Sequence, residues 1–419
     1  MPSLHTFVAP RPSPRLQAFT KWLNDRYVLP KLFTVSKIHA DPAQLQRLAG
    51  LTAAGHAVFI VPNHPRYGTD WMVDKWLFDR AAPGCLSWAD PAIVNGTGAL
   101  LQRFWLKSGL VAAVRTQDGV NAAMDFSVEQ ALKGVPVLLH PEGAVNWDNE
   151  RIGDLFPGTA QMALRCASAL QAGGASRSAM LLPVAVFHRF FSNDMDQLHA
   201  DISDLEKRLD LSPSTSQNPA TRLEAVFRSV LIRLADKVNL HFNNTGYFHL
   251  DVIVFCHQLA NQLAQPHPTL AEVMGSKASP QAAVNAFMRA ASKRAVAKEP
   301  QYRVLEKAMR LYFPDTTPTL TLEQVEARAK RLREDHLKGS LFDTLRRMVP
   351  RPVSRMEAVM QIGEPILVQA CSGNVAEQAG ALTEELQSTL TALNKAAQSE
   401  AIRILGAPKH LPNSFCRPF

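Results

Sequence analysis

The segment VPNHPRYGTD, Val61–Asp70, sets a histidine six residues ahead of an aspartate, directly after an apolar run. A neutral imidazole can take a proton from a hydroxyl at working pH. A carboxylate on its other ring nitrogen fixes the tautomer and stabilises the imidazolium that forms. The turn formers Pro65, Gly68 and Thr69 explain why the chain reverses here. They do not explain His64 and Asp70, which read as a catalytic base and its partner. Asp74, one helical turn beyond Asp70, is the weaker partner.

A second apolar run, VPVLLHPEG (135–143), ends on Pro141-Glu142-Gly143, and AVRTQDG (113–119) carries Arg115. Arg151 lies eight residues past Gly143. These four, Arg115, Glu142, Gly143 and Arg151, are the candidate substrate-binding residues. His188 and Arg189 follow the run AMLLPVAVF and read as structural, while Asn146, Trp147 and Asp148 read as loop formers. The chain has no GxSxG nucleophile elbow, no GxxxxGK[ST] phosphate loop and no GxGxxG fingerprint. Its five cysteines form no CxxC pair, which argues against a metal site or disulfide framework and fits a reducing compartment.

Short apolar runs alternating with amphipathic stretches must position these residues. Strands are expected at 56–63, 110–115 and 179–187, a strand ending in a loop at 135–143, and a strand and turn at 356–368. Helices are expected at 15–50, 70–81, 99–109, 120–134, 157–174 and 375–404, with 87–94 ambiguous. This rhythm predicts an α/β fold with a largely parallel sheet covered by helices on both faces. Ligands in such sheets bind beyond the carboxyl ends of the strands, where Asn63-His64 and Pro141-Glu142-Gly143 fall. After Phe191 the rhythm turns helical (195–209, 221–239, 280–312, 321–348). The expected division is therefore an α/β domain from 1–191 and 355–419, including the N-terminal helix 15–50, interrupted by a mainly helical insertion, 192–354.

In this order, NHPRYGTD, AVRTQDG, LLHPEGAVNWDNERIGDLFPGTAQMA and LLPVAVF resemble the glycerolipid acyltransferase family typified by 1-acylglycerol-3-phosphate acyltransferases. QIGEPILV (361–368) resembles that family's closing strand. The resemblance implies a fatty acyl transfer from a thioester, acyl-CoA or acyl-carrier protein, to the hydroxyl of a lysophospholipid or related lipid alcohol. It implies His64 as general base and no cofactor beyond the acyl donor. Two departures stand out. Five residues rather than four separate His64 from Asp70, leaving Thr69 at the family position; Gly68 tolerates the backbone angles a bulge needs. Ala144-Val145 replace the family's Thr-Arg, so the arginine for an acceptor phosphate would have to be Arg115 or Arg151. These departures motivate an alternative: a catalytically weak acyltransferase-like module that binds a membrane or partner through its insertion.

Composition bounds the partners. With 46% hydrophobic and 20% charged residues the chain reads as folded rather than disordered. Its net charge of +8 is concentrated between Lys277 and Arg355, where 17 Lys/Arg stand against 8 Asp/Glu. Such an excess suits an anionic membrane surface, and QAAVNAFMRAASKRAVAK within it reads as an amphipathic basic helix. With no motif beside it, the excess argues little for nucleic acid. The N-terminus lacks the apolar core of a signal peptide, and no window approaches eighteen uncharged apolar residues. The expected location is the cytoplasm, peripheral to the inner face of a membrane.

Overall fold

The computed structural model describes residues 6–416 except 115, 191–194, 213–217, 242–244, 278, 293, 314–316, 338–352 and 372. The chain divides into two compact units, Met1–Asn193 with Leu345–Ala407, and Asp194–Thr344 with Pro408–Phe419.

The first unit begins with α1 (Pro14–Leu23), which continues as a π-helical segment, Asn24–Leu32. Then follow β1 (Val35–Ala40), α2 (Pro42–Ala53), β2 (Ala57–Pro62), α3 (Thr69–Ala81) and β3 (Leu86–Ala89). The one-turn α4 (Pro91–Val94) leads to α5 (Ala99–Lys107), β4 (Leu110–Ala112), α6 (Gln117–Leu132) and β5 (Val137–Leu138). α7 (Gly158–Ala172) and β6 (Ala179–Phe190) close this part.

Three strands' neighbours decide the architecture. The eight-stranded sheet has the order β1-β8-β6-β2-β5-β3-β4, where β8 is Met356–Ile362 and belongs to the returning chain. β6, β2, β5, β3 and β4 run parallel; β8 is antiparallel to β6, and β1 is parallel to β8. A further strand, β9 (Ile366–Val368), pairs antiparallel with the start of β6. The sheet is thus mostly parallel and covered by helices, as expected.

Burial on both faces explains the unbroken apolar run of β2. Ala57, Phe59 and Val61 pack with α6, α7 and the long C-terminal helix Val375–Leu405, through Val128, Met162 and Leu386. Alternation sends Val58 and Ile60 to the opposite face, where α2 packs. Fully burying a side chain such as Phe59 stabilises by about 1.5–3 kcal/mol, so the register of β2 is strongly fixed.

The N-terminal expectation needs correction. Residues 15–50 are not one helix, since β1 interrupts them. Pro30 cannot donate within a regular helical ladder, and it lies in the π-helical segment. Of the periodic apolar residues there, Phe19 and Tyr27 are each 53% exposed, so that stripe does not face the core. β5 is the strand ending in a loop expected over 135–143; it spans Val137–Leu138 and leaves His140 in the loop beyond it.

The second unit is helical, with α8 (Asp196–Arg208), α9 (Pro219–Asp236), α10 (Phe248–Ala264), α11 (Pro268–Gly275), α12 (Pro280–Ala291) and α13 (Pro300–Met309). β7 (Thr319–Thr321) and α14 (Leu322–His336) follow, so the C-terminal helix of the first unit is α15. Arg228, half-buried, joins α9 to α10 by pairing with the buried carboxylates of Glu224 and Asp251. Residues 408–419, expected with the α/β domain, group with this unit instead. β10 (His410–Pro412) pairs with β7, and Phe415 is buried among Phe227, Phe248 and Arg328.

The apolar face of the basic helix, read as able either to lie in a lipid interface or to pack on the α/β domain, packs within the helical unit itself. On α12, Val284, Phe287 and Ala291 are fully buried against this unit's own helices, α10 and α11. Further along, Lys330 and Arg333 pair with Glu326 and Asp204 within the same unit.

Candidate active site

β2, β5 and β6 are adjacent and parallel, so their carboxyl ends open at one place. The chain leaves β2 through Asn63-His64 and turns into α3 through Gly68, whose φ of +72° suits glycine. That turn absorbs the extra residue between His64 and Asp70. Thr69 becomes the first residue of α3, and Asp70 lies in its first turn, where a helix favours a carboxylate.

His64 Nδ1 lies 3.0 Å from Asp70 Oδ2. The histidine keeps 17% of its side-chain surface exposed, whereas the aspartate keeps 1%. The imidazole is therefore reachable and its carboxylate partner is hidden. Asp70 also accepts the backbone N–H of Arg66 at 2.6 Å, and His188 Nε2 donates to its other oxygen at 2.7 Å. Burial alone would raise the Asp70 carboxyl, but the hydrogen bonds from His188 and His64 hold it well below the usual range. With Nδ1–H committed to Asp70, Nε2 of His64 is the nitrogen a substrate hydroxyl would meet.

A second histidine–aspartate pair lies against the first. The His140 ring stacks on His64 with centroids 4.0 Å apart and planes 11° apart. Its Nε2 is 3.2 Å from Asp74 Oδ2, and its Nδ1 is 3.2 Å from the carbonyl oxygen of Asn63. Asp70 and Asp74 are four apart on α3, so one helix face serves both rings. Burial lifts Asp74 to about 6, still below neutrality. Burial opposes a charge on His140, yet Asp74, with Asp70 and Glu142 nearby, raises it. His64 moves the other way, to about 4, through burial and the charge of His140, against the pull of Asp70.

Glu142, expected among the substrate-binding residues, spends both oxygens on the protein. It accepts His64 N–H at 2.7 Å, and Gly153 N–H and Asn146 Nδ2 at 2.6 Å each. It is 6% exposed and its carboxyl is raised by burial. Its role is to hold the loop after β5 against the histidine backbone. Gly143 has φ +68°, and a Cβ there would come within 2.9 Å of the Phe156 ring. Arg151 is on the same loop, with its carbonyl accepting from Asn146 and its Nε 3.8 Å from Asp148 Oδ2. Arg115 lies outside the described residues. Among the described residues, no group of three or more His, Cys, Asp or Glu side chains is arranged to hold a metal ion.

Asparagines tie these loops to β6, which runs on past the end of β2. Buried Asn63 accepts Val186 N–H at 2.7 Å and donates to Val186 O at 3.1 Å. Asn149 does the same at His188, at 2.9 and 2.7 Å. Each side chain stands in for a missing strand. Asn63→Ala would orphan two buried backbone groups, at about 1–3 kcal/mol each. Thermal unfolding should show a clear fall in Tm, and an unchanged Tm would refute the clamp.

The sequence alone does not single out His140 or Asn149; it reads His188 as structural and places Asn63 beyond its strand without a role. A histidine immediately before PEG was the available signal for His140; for His188 it was a polar residue closing a wholly apolar strand. Neither a known protein-family model nor a curated protein matches this chain.

Proposed function

We propose that this chain is a glycerolipid acyltransferase-like enzyme, moving a fatty acyl group from a thioester donor to the hydroxyl of a lysophospholipid or related lipid alcohol. The observation that carries the reading is the reachable His64 with its hidden carboxylate partner, 3.0 Å away, at the carboxyl ends of the central strands. The ordered motifs around it supply the acyl-transfer chemistry by resemblance. Nε2 of His64 takes the acceptor's hydroxyl proton as the oxygen attacks the thioester carbonyl. The new C–O bond forms, the C–S bond breaks, and the proton passes from the imidazolium to the departing sulfur. Asp70 stabilises the transient charge. Arg115 and Arg151 are the cations proposed for an acceptor phosphate.

Among the described residues, no helix is long and apolar enough to cross a membrane. A lipid acceptor is proposed to be met at a cytoplasmic membrane surface instead. α1 and the π-helical segment suit that surface better than α12. They expose Phe19, Trp22 and Tyr27 beside Arg15, Arg26 and Lys31, the amphipathic aromatic and basic mixture that lies in an anionic interface.

The decisive experiment supplies an acyl thioester and a lysophospholipid in anionic vesicles and measures free thiol together with the acylated lipid. The expected result is acceptor-dependent thiol release that weakens as salt screens the surface. Thiol release without an acylated lipid would mark a thioesterase, and no release with any lipid alcohol would end the acyltransferase reading.

A further inference from the structure

We propose that His140 is a charged positioning residue, an imidazolium clamped between Asn63 and Asp74 that keeps the stacked His64 ring neutral and therefore basic. This deepens the reading of His64 as a general base, on which its functional meaning rests. The geometry itself is independent of any substrate.

Three observations carry it. First, both His140 ring nitrogens face oxygens, the Asn63 carbonyl and the Asp74 carboxylate, each at 3.2 Å. The Asn63 carbonyl only accepts, so Nδ1 carries a hydrogen. Nε2 stands at ion-pair distance from Asp74, whose two buried oxygens have no hydrogen-bond partner among the described residues, so a second hydrogen on His140 is what supplies that carboxylate with a counter-charge. Second, the two rings are nearly parallel at 4.0 Å, where a second positive charge would be strongly repelled. Third, the single proton of neutral His64 is already committed at Nδ1 to Asp70. The proton inventory of the stack is then fixed: two on His140, one on His64, and a free lone pair on the reachable ring.

The surrounding charges do not undo this. α3 presents Asp70 and Asp74, the loop after β5 presents Glu142, and β6 presents His188, which is bound to Asp70. Cys85, which feels the Asp74 charge, is held as a neutral thiol by burial. Asp70 attracts a proton to His64, so without His140 the base would titrate higher and be blocked at mildly acidic pH.

The test is a histidine-labelled NMR titration of the full chain, with ring signals assigned through single substitutions. In the wild type, His140 should carry both ring N–H groups at pH 7 while His64 is neutral. His140→Phe keeps a flat ring on the stack but removes the charge, and should raise the His64 midpoint by on the order of one pH unit. Asp74→Asn deprives His140 of its counter-charge and should move His64 in the same direction. A neutral His140 in the wild type, or a His64 midpoint that stays put or falls in both variants, would overturn the proposal. These readouts need no substrate, so a chain without acyl transfer would defeat the functional reading while this test still decides its own question.

Discussion

His64→Ala should lower acyl transfer by about 10²–10⁴-fold, the usual contribution of a general base, with the fold retained. The ring keeps part of its surface exposed, and it is the backbone N–H of residue 64, which alanine preserves, that bonds Glu142. The pH profile provides the second check. Because His64 is lowered to about 4, the acid limb of kcat/KM should fall far below the ordinary 6.5. The stability sign follows from the same shift. Between 6.5 and about 4 the unfolded chain binds this proton before the folded one does, so acidification through that window removes stability. An acid limb at 6.5, or full activity in His64→Ala, would sink the mechanism.

Asp70→Asn should be nearly as damaging to activity, and more damaging to the fold than His64→Ala. A carboxylate at residue 70 receives His64, His188 and the Arg66 amide together, whereas an amide presents one acceptor oxygen and two donor hydrogens. One histidine must then lose its tautomer-fixing partner, and a hydrogen bond to a charged group is worth about 1.5–3 kcal/mol. Asp70 is held low, so its stabilisation is present above the ordinary 3.8 and is lost only as pH falls below that value toward the depressed one. Wild type and Asp70→Asn should therefore differ most in unfolding free energy at neutral pH and converge in strong acid. Asp74→Asn should cost less activity than Asp70→Asn, since it touches the base only through His140. Greater damage from Asp74→Asn would reassign the partner.

How much of this was legible in the sequence differs from residue to residue. β2 and α3 were readable because a strand buried on both faces is a bare apolar run, and the helix after it begins where the turn formers stop. The pairing of His64 with Asp70 was readable despite the extra residue, since Gly68 offered the backbone freedom the turn uses. β1 was not, because VSKIHA gains its strand character from β8, some 320 residues away in sequence. Phe19 and Tyr27 had helical spacing, but spacing does not say which way a stripe faces. His140 and His188 each look like a lone polar residue. Their meaning arises only when β5 and β6 are set on either side of β2, a fact about pairing rather than about local pattern. The placement of Phe415 in the helical unit was hidden for the same reason.

The sheet order has a consequence for synthesis on the ribosome. β8 lies between β1 and β6, so β1 has no described partner until residues 356–362 have been made, after the long segment Asp194–Thr344 of the helical unit. At roughly 5–20 residues per second, the nascent chain waits on the order of ten seconds with one side of β6 unpaired. That side is part of a twelve-residue apolar strand, the kind of open edge on which chains aggregate. Overproduction that outruns folding should therefore yield insoluble protein. Co-expressed chaperones that shield the nascent edge should restore soluble yield.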